Sequence, residues 1–191
     1  MASTDRAVSP ERPPAAWNLV VTAREGMGRR LRGRLAPLVD VRRSGFRNVL
    51  VGYAPDAQTL LDAVADLRAA RPGIDACLGK VVPLERTFPV RPETFQADLE
   101  REAAPFVDRL VGRSFHVRVE RRGHKGVLDS HACEQALGAF LCSTLETRGG
   151  RPVVEFADPD AVLVVEIIGD TAGLALVTRE VRRRFPFVKV D

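Results

Sequence analysis

The sequence predicts an α/β (α+β) protein made of two small units, each interleaving strands with helices. Three observations carry that prediction. Apolar residues recur at helical spacing over 27–38, 57–70 and 95–110, and short β-type runs such as WNLVVTAR and SFHVRVE stand between them. Pro89 and Pro92 then separate a first strand-helix series from a second. At 191 residues the chain has room for one ordinary domain or two small ones, each with its own core.

The elements follow in order. Residues 1–16, with Pro10, Pro13 and Pro14, lack apolar periodicity and are expected to be a flexible tail. WNLVVTAR reads as the first strand. A helix over 27–38 should bury Met27, Leu31, Leu35 and Leu38, turn its arginines outward, and close at Pro37 and Asp40. VRRSGFRNVLVGY reads as a strand or hairpin, and DAQTLLDAVADLRAARPG as a helix with Leu60, Leu61, Val64 and Leu67 inward and a Pro-Gly stop. With the strand-like ACLGKVVPLERTF, this gives a small sandwich of the split βαβ type over 17–90.

The second unit, 91–191, opens with ETFQADLEREAAPFVDRL, a helix broken near Pro105. SFHVRVE alternates, placing Phe115, Val117 and Val119 inward and His116, Arg118 and Glu120 outward. Asp129 or Ser130 is suited to cap the next helix, which carries Ala136, Leu137, Phe140 and Leu141. RPVVEF and GLALVTR read as strands. The unbroken apolar run AVLVVEII belongs at the centre of a sheet.

Composition narrows the function classes. No apolar run reaches the length of a spanning helix and no signal-type segment opens the chain, so a cytoplasmic protein without membrane contact is expected. Cys77, Cys133 and Cys142 form no CxxC and read as reduced thiols. Basic residues segregate along the chain. Residues 1–50 hold ten arginines against four acids, 113–125 hold five bases against Glu120, and 171–191 hold five bases against two acids. Residues 126–170 hold eight acids and only Arg148 and Arg151, a distribution suited to a polyanionic partner.

Several motifs fail on chemistry. EGMGRRL sits where a dinucleotide fingerprint would, but Leu31 occupies the third glycine position and no acid follows at ribose-binding distance. GIDACLGKV spaces its glycines wrongly for a phosphate loop and ends on Val81. His124, His131 and Cys133 lack a further ligand cluster, and no nucleophile-base signature is present. No catalytic residue, cofactor or metal is therefore expected. ERRGHKGVLDS remains: glycines expose backbone amides, cations surround them, and a helix N-terminus follows, which suits phosphate as well as it suits a solvated basic loop.

SFHVRVERRGHKGVLDSHACEQALGAF and PVVEFADPDAVLVVEIIGDTAGLALVTR together resemble the THUMP domain over about residues 92–191. The resemblance lies in a strand running into Arg121, Arg122, Gly123 and His124, a helix with Ser130, Glu134 and Gly138 in register, an acidic D-P-D turn, and a strand carrying V-E-I. Residues 17–90 look like the ferredoxin-like unit that commonly precedes THUMP, and Asn18–Thr22 resembles the opening of the tRNA cytidine acetylation adaptors. The resemblance implies tRNA binding at the acceptor stem and 3′ end, with Arg118, Arg121, Arg122, His124 and Lys125 as RNA contacts. Arg179, Arg182, Arg183 and Arg184 would extend the same surface if the last strand lies near the turn. Without the S-G-G-x-D-S loop of thiouridine synthases or a methyl-donor unit, it implies a non-enzyme that hands tRNA to a modifying enzyme in trans, as the adaptors do to an acetyltransferase. A self-sufficient small RNA-modifying enzyme and a basic protein-interaction module are the alternatives.

Overall fold

The computed structural model describes residues 17–190; the tail expected over 1–16 lies outside the described residues. The first sheet contains β1 (Leu19–Ala23), β2 (Val41–Arg43), β3 (Val49–Gly52) and β4 (Leu78–Pro83), in the spatial order β2-β3-β1-β4 with every pair antiparallel. Helices α1 (Gly28–Leu35) and α2 (Ala57–Ala70) complete a β-α-β-β-α-β series. Asp56 caps α2 by accepting from the Thr59 amide at 2.6 Å. Helix α1 is shorter than the apolar spacing predicts. Pro37 has no amide to continue the ladder, so the chain turns after Leu35, leaving Leu38 at 36% exposure and burying Val39 instead.

The second sheet runs β5 (Arg86–Pro89), β9 (Thr171–Thr178), β8 (Ala161–Ile168), β6 (Ser114–Arg122) and β7 (Val153–Val154). β6 lies parallel to both β8 and β7, while β8–β9 and β5–β9 are antiparallel. Arg86–Pro89, expected in the first unit, forms the edge of this sheet because Gly173 lets the chain approach closely: a Cβ there would lie 2.6 Å from Leu84. RPVVEF yields only the two-residue β7, both valines of which are exposed.

Helices α3 (Phe95–Ala103), α4 (Val107–Leu110) and α5 (Ser130–Thr147) cover one face of the second sheet, and a 3-10 turn at Pro105 breaks the first two apart. Asp129 caps α5 through the Ala132 amide at 2.7 Å. β8 is buried on both faces, as its apolar run predicts. Leu163, Val165 and Ile167 face the helices, while Val162, Val164 and Ile168 join the core of the first unit. The short helix α6 (Arg179–Arg184) follows β9, and Phe185, Phe187, Val188 and Val190 then insert into that same first core. The Val81 amide donates to the Phe187 carbonyl at 2.9 Å, fastening this tail to the edge of β4. No helix among the described residues is long and apolar enough to cross a membrane.

Candidate nucleic-acid interface

The basic turn after β6 is built as a joint between the two sheets. Gly123 has φ +112°, and a Cβ there would lie 3.3 Å from Gly169 and 3.4 Å from the Phe46 ring at the tip of the β2–β3 hairpin. Only glycine meets both demands without strain. Arg121 donates back to the Gly123 carbonyl at 2.5 Å, and His124, itself at φ +50°, lies 3.1 Å from the Gly169 carbonyl and 3.2 Å from Asp170. Lys125 is exposed and makes no ion pair among the described residues.

Arg122 is committed elsewhere. Its guanidinium spans Glu166 at 2.6 Å and Glu120 at 2.7 Å, and Lys80 from β4 reaches the same two carboxylates, at 2.7 Å for Glu166. Glu166 is fully buried, so these cations answer a charge the core would otherwise reject. Burial opposes ionisation of Glu120, but Lys80 and Arg122 outweigh it and hold the carboxyl below its ordinary range.

The C-terminal arginines do not join the turn. Arg122 is in register with Ile168, whereas Thr178, which leads into α6, is in register with Ala161 at the other end of β8. Seven residues of strand separate them, roughly 23 Å. The D-P-D turn also holds three of these arginines in place. Arg179 bonds Asp158 at 3.1 Å and Asp160 at 2.7 Å, Arg182 donates to the Pro159 carbonyl, and Arg183 lies 3.6 Å from Asp158. Arg184 pairs with Asp62 at 2.7 Å and lies over the Phe185 ring. The single surface expected from turn plus C-terminus is thus corrected: antiparallel pairing of β9 with β8 carries the two groups to opposite ends.

A different arrangement emerges along β6. Its outward residues His116, Arg118, Glu120 and Arg122 face the first unit and the returning tail, forming the wall of a groove. One section, about 540 Å³, is lined by His116, Arg118, Phe156, Arg182, Val188 and Lys189 among others. The adjoining section holds Arg47, Lys80, Glu120 and Arg122 and shares Lys189. Phe156 is 75% exposed and stacks on His116 with ring centroids 5.4 Å apart. The Nδ1–H of His116 donates to the Glu155 carbonyl at 2.9 Å, which fixes the ring and turns Nε2 the other way. Arg118 is only loosely held, 3.8 Å from Glu134.

Of the expected RNA contacts, then, the groove brings together Arg118, Arg182 and Arg122, with the last immobilised. Sequence reasoning passed over His116, Phe156, Lys189 and Arg47. The one available signal was an aromatic residue in the polar turn E-F-A-D-P-D, where no core can form. Exposed cations beside an exposed ring suit a single-stranded nucleic acid, with the cations following phosphates and the ring receiving a base. Among the described residues no three His, Cys, Asp or Glu side chains cluster to hold a metal ion, and burial pushes the Cys133 thiol upward.

Residues 85–177 match the family profile of the THUMP domain. Comparison with curated protein sequences gives no match. Among solved structures, TrmN from Thermus thermophilus superposes with a TM-score of 0.58 at 22% identity, over 88% of this chain and 48% of that one. A 4-thiouridine synthetase in complex with RNA and bound ATP gives 0.52 at 14% identity, over 85% and 42%. A predicted N6-adenine-specific DNA methylase from Listeria monocytogenes gives 0.54 at 16%, over 84% and 40%. The chain spans less than half the length of each of these proteins, and at such identities they share its fold.

Proposed function

From the premise that residues 85–177 are a THUMP domain, we propose that this chain binds tRNA at the acceptor stem and 3′ end and presents it to a separate modifying enzyme in the cytoplasm. The observation that carries this reading is the groove along β6, where Arg118, Arg182 and Lys189 stand beside the exposed Phe156–His116 stack. An A-form stem hides its base edges in a deep groove, so a protein selects such an RNA through phosphates, shape and whatever bases are unpaired. The groove offers contacts for both phosphates and an unpaired base. The first unit, with the strand order of a ferredoxin-like fold, supplies the opposite wall through Arg47 and Lys80. That a 4-thiouridine synthetase of similar fold is seen with RNA supports the same assignment.

Support for catalysis in trans comes from the groove's Glu120. Lys80 and Arg122 both hold its carboxylate and keep it below its ordinary range, so it is not poised to shuttle a proton near neutral pH. The test has two arms. Titration of the protein with intact tRNA and with tRNA lacking its 3′-terminal nucleotides should favour the intact form, and equal affinities would count against the assignment. Incubation with tRNA plus acetyl-CoA and ATP, or plus S-adenosylmethionine, should leave the RNA unmodified; a modified nucleoside in digests of that RNA would show the chain to be an enzyme.

A further inference from the structure

Among the described residues the first unit leaves two large apolar side chains at its surface, Leu38 at 36% and Tyr53 at 40% exposure, and both line one groove. The groove, about 560 Å³, runs between the turn that follows α1 and the start of α2. Leu38, Tyr53, Pro55 and the buried Leu60 make its apolar wall, and its charged residues are Asp40 and Asp56, both exposed. Among the described residues no Lys, Arg or His lines it. Asp56 is committed to the Thr59 amide as the cap of α2, whereas Asp40 makes no ion pair among the described residues. A groove walled by an aromatic ring suits a polyproline II segment, and the carboxylate calls for a cation beside the prolines.

The sequence holds such a segment next to the groove. S-P-E-R-P-P, residues 9–14, sets Pro10 and Pro13 at P-x-x-P spacing with Arg12 between them. Its point of attachment is fixed. Trp17 is buried in the first core, and Asn18 is held on both sides, its amide donating to the Gly52 carbonyl at 3.0 Å and its carbonyl accepting from the Leu84 amide at 2.7 Å. The Asn18 side chain also grips Ala54, which lines the groove, through two bonds of 2.7 Å. Leu19 pairs antiparallel with Gly52, so the course set by Asn18 and Trp17 leads past Tyr53 and Ala54 toward Pro55. Gly52 is flanked on its other side by Val41, which puts Asp40 two strand spacings from Asn18, roughly 10 Å. Arg12 stands five residues ahead of Trp17, a reach of about 15 Å in polyproline II form.

We propose that residues 9–14 of this same chain lie in the groove as a polyproline II segment, with Arg12 on Asp40. Docked there, the segment covers Leu38, which the early stop of α1 leaves outside the core. Tethering selects this occupant over a proline-rich segment of another protein or of a second copy, because so short a link presents its segment at about millimolar effective concentration. This groove shares no residue with the groove along β6, so its occupancy is independent of the RNA reading.

Tyr53 is the one tyrosine of the sequence, so the whole chain labelled with fluorotyrosine gives a single fluorine NMR signal, from the groove itself. Pro10→Ser/Pro13→Ser and Arg12→Asp, neither of which alters a core residue, should each move that signal to one common position, that of the vacated groove. Arg12→Asp/Asp40→Arg should return it toward the wild-type position, and Asp40→Arg alone should not. A synthetic peptide of residues 7–16 at several millimolar should shift the Pro10→Ser/Pro13→Ser signal toward that of wild type and leave wild type unmoved. A signal common to wild type and Pro10→Ser/Pro13→Ser, or a peptide without effect on that variant, overturns the proposal. A wild-type signal that moves with added peptide shows a groove open to other proteins, and one that moves on dilution shows tails exchanged between copies; either result overturns it too.

Discussion

Phe156 and Lys80 show how differently two residues of one groove are employed. Phe156 is exposed and supports nothing in the core, so Phe156→Ala should change stability by no more than about 0.5 kcal/mol. It should still cost about 1–3 kcal/mol in binding an RNA with unpaired 3′ nucleotides, read by titration. Lys80 is the reverse case. Lys80→Met leaves the buried Glu166 with Arg122 alone, and urea unfolding should show a loss of about 3–5 kcal/mol. Gly123 belongs with Lys80: alanine there meets both a left-handed backbone and the Gly169 contact, and should destabilise by about 1–3 kcal/mol. None of these roles is written in the residue itself. ERRGHKG presents its charges identically in sequence whether they are free or paired, and the partner that decides for Arg122 lies 44 residues away.

At the scale of elements, β6 was the most legible and the most informative. Alternation in SFHVRVE separates buried from outward side chains correctly, because a half-exposed strand has period two. What the outward side faces was not legible, since it depends on how the first unit and the tail dock. The same docking imposes a pH dependence. Because Lys80 and Arg122 hold the Glu120 carboxyl below its ordinary value of 4.5, the stability it contributes is complete above that value and is lost as pH falls through the depressed folded value. Melting temperature should therefore decline with acidification below about pH 4.5, and Lys80→Met should flatten that decline. The ends of short elements were less legible for a related reason. β7 keeps only two residues of the strand read over RPVVEF, and α1 stops at Leu35, short of the end its periodicity predicts, because Pro37 interrupts it.

Over the whole molecule, the α/β class and the buried central strand were readable because long apolar patterns report burial directly. The grouping of charge was not. Segregation along the chain suggested one cationic surface from the turn and the C-terminus, yet strand direction sends these to opposite ends, and the D-P-D turn ties down Arg179. Beside the Phe156–His116 stack, the exposed cations of the groove are Arg118 and Lys189. The most direct test of the groove is a titration of wild type and Arg118→Ala/Phe156→Ala with intact tRNA and with tRNA lacking its 3′-terminal nucleotides. Wild type should prefer the intact RNA by tenfold or more, roughly the value of one stacked base, and the double variant should bind both RNAs with the same, weaker affinity. A double variant that keeps the full preference for the intact 3′ end would place the recognition site somewhere other than this groove.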